Sequence, residues 1–147
     1  MHILWYNSGI IFSRLALMHK FSLSCPTSGF YLITPQIQSA IEKDGIQNGI
    51  AVVFCPHTTA SITINENCDP YVHKDVMLGT EIAFPNRAEF LHDEGNSSGH
   101  IKSSVFGASE TLIIKDGKLI LGRWQDIYFV EFDPPRERNF YVKLMRG

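Results

Sequence analysis

Two apolar runs in the last third of the chain leave little choice of local fold. Thr111-Leu112-Ile113-Ile114 and Leu119-Ile120-Leu121 flank Lys115-Asp116-Gly117-Lys118. Such runs suit a pleated surface, and Asp-Gly between them supplies the positive backbone torsions of a tight hairpin turn. Gly122-Arg123-Trp124-Gln125 follows. Asp126 to Phe132 then reads as a strand, Asp133-Pro134-Pro135 as a turn, and Arg138 to Leu144 as a closing strand.

Upstream, helices alternate with strands. Thr34-Pro35 has the character of a helix start, with a hydroxyl to cap free N–H groups and a proline that has none to leave unsatisfied. Ile37, Ala40 and Ile41 form an i, i+3, i+4 apolar face, and Asp44-Gly45 offers a stop, so a helix is expected over residues 35 to 44. Ile50-Ala51-Val52-Val53-Phe54-Cys55 is apolar at every position, which predicts a strand covered on both faces and ended by Pro56. Ser61-Ile62-Thr63-Ile64 alternates, placing Ile62 and Ile64 toward a core. Asp69-Pro70 repeats the cap-then-proline signal, and Val72, Val76 and Leu78 mark a second helix. Strand-like chain is expected again from Ile101 to Phe106. Before all this, residues 1 to 24 read as two strands, or one strand and irregular chain, with a turn at Asn7-Ser8-Gly9. Cys25 to Gly29 reads as a further turn and Phe30 to Ile33 as a short strand. The expected product is an α+β fold, mainly antiparallel, with two helices covering the sheet.

Composition bounds the function classes. One domain is the natural reading of 147 residues, and 44% hydrophobic with 19% charged residues is the balance of a folded chain. A net charge of -2 argues against a dedicated nucleic-acid binder, which needs a basic face. Cys25, Cys55 and Cys68 show no paired metal-ligand spacing, and their odd number favours a reducing compartment. Cys55, at the end of an apolar run, reads as a small buried hydrophobe. The opening segment from Met1 to Met18 has neither a secretory layout nor the length of a spanning helix, so a cytoplasmic protein with no membrane partner is expected.

The chemistry concentrates in Leu91-His92-Asp93-Glu94-Gly95-Asn96-Ser97-Ser98-Gly99-His100-Ile101-Lys102, a polar connection between apolar regions. Such a stretch is either a surface turn or a set of binding groups held on a rigid scaffold. His57 follows a strand, and Glu66 and Asn67 follow the next. If His57, His92 and His100 converge, they form a ligand set for a borderline metal such as zinc, with Glu66 orienting a ligand or acting as a base. The eight-residue separation of His92 and His100 is not the helical spacing of a metalloprotease. Equally, His57 can be a structural histidine bonded to a neighbouring carbonyl, with Thr58 and Thr59 ordinary turn residues, or those hydroxyls can hold an anion. Trp124 is a core or interface aromatic, or lines a polar pocket with Gln125. Arg136 and Arg138 are solvated charges, phosphate ligands or subunit contacts. No Walker sequence, dinucleotide fingerprint or G-x-S-x-G context occurs.

Pro56-His57-Thr58-Thr59-Ala60-Ser61-Ile62-Thr63-Ile64-Asn65-Glu66-Asn67 resembles the central signature of the YjbQ-like family, an uncharacterised family also described as secondary thiamine-phosphate synthases. The likeness continues through His92 to Asn96, His100-Ile101-Lys102, Gly107, Gly117, Gly122-Arg123-Trp124-Gln125 and Asp133 to Arg138. It implies a compact α+β subunit assembling as a homotrimer, with sheets packed around the threefold axis. It also implies a polar cleft in which His57, His92 and His100 hold a metal or an anion, with Glu66, Asn96, Trp124 and Gln125 as neighbours. Three positions depart from the family pattern: Arg123 for a small hydroxylated residue, Gly99 for alanine and Pro134 for glycine. They are expected to alter pocket charge, loosen the segment before His100 and change the last turn, respectively.

The function implied by the resemblance is a secondary thiamine-phosphate synthase activity joining a pyrimidine diphosphate to a thiazole phosphate. His57, Glu66 and His100 would be catalytic. Thr58, Thr59, Asn96, Arg123, Trp124 and Gln125 would hold the substrate or anion, and a divalent ion, zinc first, would sit on the histidines. A metal-dependent hydrolase, or a trimeric metal- or anion-binding protein without turnover, fits the same residue types.

Overall fold

The computed structural model describes residues 17–147, at Leu17 the backbone alone. The expected turn at Asn7-Ser8-Gly9 and any strand before residue 17 lie outside the described residues. Eight strands and three helices follow in order: β1 (Leu17–Cys25), β2 (Gly29–Leu32), α1 (Thr34–Asp44), β3 (Gly49–Phe54), β4 (Ala60–Glu66), α2 (Pro70–Ala83), α3 (Ser97–Phe106), β5 (Ser109–Lys115), β6 (Lys118–Leu119), β7 (Gln125–Glu131) and β8 (Arg136–Arg146). They form two antiparallel sheets, one in the order β1-β8-β3-β5-β6 and the other β2-β7-β4.

The hairpin forms as its turn residues require. Asp116 and Gly117 have φ of 51° and 76°, both positive, and Gly117 N–H donates to Gln47 O at 2.9 Å. Helix α1 carries Pro35 in its first turn and ends on Gly45 in the left-handed region, φ 61°. Thr34 does not cap it: the hydroxyl instead accepts from Ile127 N–H at 2.8 Å, tying the helix start to β7. In α2 the cap is present, with Asp69 Oδ1 accepting from Tyr71 N–H at 2.8 Å.

The main core lies between the sheets. Ile37, Ala40 and Ile41 of α1 pack there with Ala51 and Val53 of β3, Ile62 of β4, Phe129 of β7, and Phe140, Val142 and Leu144 of β8. A smaller cluster, Tyr128, Val130 and Phe132, lines the opposite face of the three-stranded sheet, with Phe30, Met77 of α2 and Phe106 of α3 against it. Strand β7 is therefore buried on both faces, which its apolar run reflects. Strand β3 is covered on one face only: Phe54 is 44% exposed, with Ile50 and Val52 half-buried.

The stretch expected as strand from Ile101 to Phe106 is helical, the last two turns of α3. Its buried residues are Ser98, Gly99, Lys102 and Ser103, while Val105 is 59% exposed. Small and polar side chains face β4 here, Ser103 Oγ donating to Ala60 O at 2.8 Å and Ser61 Oγ to Ser103 O at 3.2 Å. With serine, glycine and lysine as its buried residues and Val105 exposed, the helix has no continuous apolar stripe to announce it, so among the described residues the two-helix expectation becomes three helices. Among the described residues no helix is long and apolar enough to cross a membrane.

Candidate functional site

Four segments meet at one end of the β4–β7 pair: the Thr58-Thr59 turn before β4, the His92–Asn96 loop, the first turn of α3, and the Asp133 turn leading into β8. They enclose an open pocket of about 330 Å³ lined by Thr58, Thr59, His92, Glu94, Asn96 and His100 on one side and by Asp133, Arg136 and Arg138 on the other. The His92 and His100 rings lie 5.0 Å apart and nearly perpendicular, at 84°. Helix α3 makes this pair possible: starting at Ser97, it fixes His100 in its first turn, and the loop before it folds His92 back onto that turn. The loop is itself anchored, with Asn86 Nδ2 donating to Gly95 O at 2.7 Å and Ser98 N–H donating to Asn86 Oδ1 at 3.0 Å.

A buried ion pair forms the floor. Glu131 is fully buried at the end of β7, and Arg138 of β8 donates to it through both Nε and Nη2, the latter at 2.9 Å to Oε1. The same arginine donates to Thr59 Oγ1 at 2.7 Å, and Asp133 N–H donates to Glu131 Oε1 at 2.7 Å. Hydrogen bonding to Glu131 raises the Arg138 pKa, outweighing the opposing effect of burial. Asp133 accepts from Arg136 Nη2 at 2.7 Å and from Asn96 Nδ2 at 2.9 Å. Burial pushes its pKa up, yet those bonds and the two arginine charges outweigh burial, so the net shift is downward. With Nδ2 facing carboxylates, Asn96 must present Oδ1 as an acceptor. That atom is buried and has no hydrogen-bond partner among the described residues.

His57 does not line this pocket. Its Nε2 accepts from Asn139 N–H at 3.0 Å and sits 3.1 Å from Asn139 O, and its ring meets Phe129 edge-on at 6.3 Å. Burial and then the Arg138 charge lower its pKa, the bond to Asn139 opposing them, so the neutral form is favoured. Glu66, Arg123, Trp124 and Gln125 lie at the other end of the ribbon. Glu66 pairs with Gln125 across the β4–β7 ladder, while Ala60 pairs with Glu131. Six steps of about 3.3 Å put these ends roughly 20 Å apart. Trp124 is half-exposed with Arg123 Cζ stacked 4.7 Å over its ring, and Gln125 Oε1 accepts from Gly122 N–H at 2.8 Å. One chain thus brings together Thr58, Thr59, His92, Asn96 and His100, and leaves His57, Glu66, Arg123, Trp124 and Gln125 outside.

The expected metal set is only partly assembled. His92 and His100 offer two nitrogens with Glu94 nearby, but among the described residues no group of three His, Cys, Asp or Glu side chains is placed to hold an ion. Glu131, Glu94 and Asp133 were not singled out from the sequence. Glu131 had a signal, a lone carboxylate inside the apolar run from Ile127 to Phe132, where burial demands a cation. Glu94 and Asp133 had none beyond their polar neighbours. The three cysteines are free, Cys55 buried as expected and Cys68 exposed.

A model of the family described as UPF0047 protein YjbQ-like matches residues 19–147. The chain belongs to the YjbQ-like family. The UPF0047 protein of Methanocaldococcus jannaschii is 56% identical over 113 residues, covering 77% of this chain and 82% of that protein. YugU, the UPF0047 protein of Bacillus subtilis, is 49% identical over 114 residues, with coverage of 77% and 86%. Among solved structures, an uncharacterised YjbQ/UPF0047 protein of Clostridium acetobutylicum superimposes with a TM-score of 0.84 at 48% identity, covering 86% of this chain and 99% of that one. A protein of unknown function from Sulfolobus solfataricus gives 0.85 at 29% identity, with coverage of 90% and 98%. These two solved relatives therefore share the fold of this chain, and the names of the four relatives assign no activity.

Proposed function

We propose that the pocket binds a phosphorylated small molecule and that the protein has a secondary thiamine-phosphate synthase activity, joining a pyrimidine diphosphate to a thiazole phosphate. The observation that carries this reading is the convergence of two adjacent imidazoles with the Thr58 and Thr59 hydroxyls and the Arg136 and Arg138 guanidiniums around one pocket. In the proposed step the bond between the pyrimidine methylene carbon and the diphosphate oxygen breaks, and pyrophosphate leaves with the electron pair. The thiazole nitrogen supplies its own pair to form the new C–N bond, giving thiamine phosphate. Negative charge collects on the departing phosphate oxygens, where preorganised donors contribute most. In this reading His100, with His92 beside it, gives a proton to that oxygen, and Arg136 and Thr58 hold its neighbours. His57 is a positioning residue in this reading, fixing the Thr58 turn through Asn139.

A divalent ion, zinc first, belongs to the same proposal, bound by His92 and His100. With three carboxylates around two arginines, the pocket has no surplus positive charge for a diphosphate, and a bound divalent ion would supply it. The remaining positions would fall to phosphate oxygens or to a neighbouring subunit, and no step above depends on the ion. Metal content per subunit in wild type and in His92→Ala and His100→Ala checks it: stoichiometric metal lost in both variants is expected.

A cytoplasmic homotrimer is the proposed state. Supporting assembly, the outer face of the five-stranded sheet carries Met18, Ile50, Val52, Phe54, Ile113 and Met145, with Met18, Phe54, Ile113 and Met145 exposed, more apolar surface than a lone sheet face needs. Unpaired cysteines agree with a reducing compartment. Phe54→Glu should lower the mass found by sedimentation. The decisive assay incubates the protein with both phosphates and follows thiamine phosphate. Product that disappears in His100→Ala supports the synthase; phosphate release without ligation moves the reading to a hydrolase, and binding without turnover to a carrier.

A further inference from the structure

Helix α3 is seated on β4 without a hydrocarbon face. Its buried residues are Ser98, Gly99, Lys102 and Ser103. Hydroxyls make its contacts: Ser103 Oγ donates to Ala60 O, Ser61 Oγ to Ser103 O, and Ser98 Oγ to Phe84 O at 2.5 Å. An apolar anchor is found at its last residue, where the Phe106 ring meets Phe132 edge-on at 5.2 Å. His100, which meets His92, lies toward the other end, in the first turn. An apolar stripe normally sets how a helix is rotated about its axis. At the end that carries the imidazole, some other group has to set it.

Lys102 is suited to that task. It is 1% exposed, and its Nζ donates to Glu81 Oε1 of α2. The carboxylate is half-exposed, so the pair ties a buried ammonium to a surface helix. An ammonium that left this partner would become a buried, uncompensated charge, which costs far more than sliding one hydrocarbon over another. The pair therefore favours one rotation of α3. At about 100° per residue, His100 leaves the helix about 200° round from Lys102, nearly on the opposite side. A turn of about 20° that pulled the ammonium away would carry a ring about 6 Å from the axis through roughly 2 Å. A shift of that size separates two rings whose centroids are 5.0 Å apart. Burial alone does not call for a lysine here. An apolar side chain of the same length would seat α3 as well or better, but it would not fix the rotation.

We propose that Lys102, through Glu81, is a positioning residue of the pocket, setting the rotation of α3 that presents His100 to His92. Neither Lys102 nor Glu81 lines the pocket. The inference rests on the imidazole pair belonging to the functional site, and not on which phosphate that site takes.

Proton NMR of the histidine rings in the full chain tests it, read as magnetisation transfer between the His92 and His100 rings. Transfer between His73 and the stacked Phe30 is the internal control. Lys102→Met keeps the length and loses the charge. In it the His92–His100 signal should fall severalfold and phosphate should bind roughly fivefold more weakly, the loss of one hydrogen bond. The His73–Phe30 signal and the urea midpoint should be kept. Glu81→Ala, at a half-exposed residue on another helix, should weaken the same ring signal, and it decides alone if Lys102→Met does not fold. A His92–His100 signal that persists in either folded variant, or is absent in the wild type, would overturn the proposal. So would loss of both ring signals together, which marks general loosening. A wild type that shows the ring contact but binds no phosphate would sink the phosphate reading instead, and the ring signals of the variants would still decide the anchor.

Discussion

The two ends of the β4–β7 ribbon differ in what holds them. At the Ala60–Glu131 end, a buried carboxylate and guanidinium fix a hydroxyl, a backbone amide and a turn around a pocket. At the Glu66–Gln125 end, the side chains are exposed or half-buried and mostly bond to their own neighbours: Glu66 N–H to Asn65 Oδ1, Gly122 N–H to Gln125 Oε1, Arg123 over Trp124. Both ends carry residues that the family resemblance assigned to one cleft. Only the first is preorganised within a chain, because there the buried Glu131 and Arg138 bind each other and hold Thr59 and the Asp133 turn in place.

The largest expected effect follows from that contrast. Glu131→Ala leaves Arg138 buried without its counter-charge and should cost about 3–5 kcal/mol in urea denaturation. Glu66→Ala at the far end should cost within about 0.5 kcal/mol, and similar losses at both would break the comparison. Next, His100→Ala should weaken phosphate binding more than about tenfold, roughly 1.4 kcal/mol, with Trp124→Ala neutral. A matching loss in Trp124→Ala would sharpen the picture differently, showing that the two ends meet across a subunit boundary.

A pH profile probes the wall behind the pocket. Burial and Arg138 lower the His57 pKa in the folded protein below its ordinary 6.5, so the unfolded chain binds the proton more readily. His57 therefore contributes stability present above about pH 6.5 and lost as pH falls from there through the lower folded value. Urea midpoints should decline between pH 7 and 5 in the wild type and less in His57→Gln. Asp133, also lowered when folded, adds its own loss only below about pH 4. Gly99→Ala is expected to give a small gain rather than a loss. A Cβ there would lie 3.4 Å from Thr59 Cγ2 and 3.6 Å from Asp133 Cβ, ordinary contact, so the gain should be about 0.5–1 kcal/mol in thermal unfolding. In the structure Gly99 sits in the first turn of α3, where helix hydrogen bonds limit the looseness its sequence implies.

Sequence by itself determined the elements whose signals are local. The Asp116-Gly117 turn, the Ile37, Ala40 and Ile41 face with its Gly45 stop, the Asp69 cap and the alternation around Ile62 each depend on a few neighbouring residues. It also marked the Leu91–Lys102 stretch as the place of the chemistry. Tertiary structure decided the rest. Helix α3 was hidden because serine, glycine and lysine face the sheet where apolar residues would normally do so. Strand β3 has the apolar pattern of a two-sided strand, yet one chain covers only one side. Among the histidines, His92 and His100 meet because a helix start and an anchored loop fold one onto the other, while the Asn139 backbone takes His57 Nε2. Which charges line the pocket was decided by the pairing of β7 and β8 residues with opposite charge at the junction of the two sheets. That pairing depends on distances through space, which linear order does not contain.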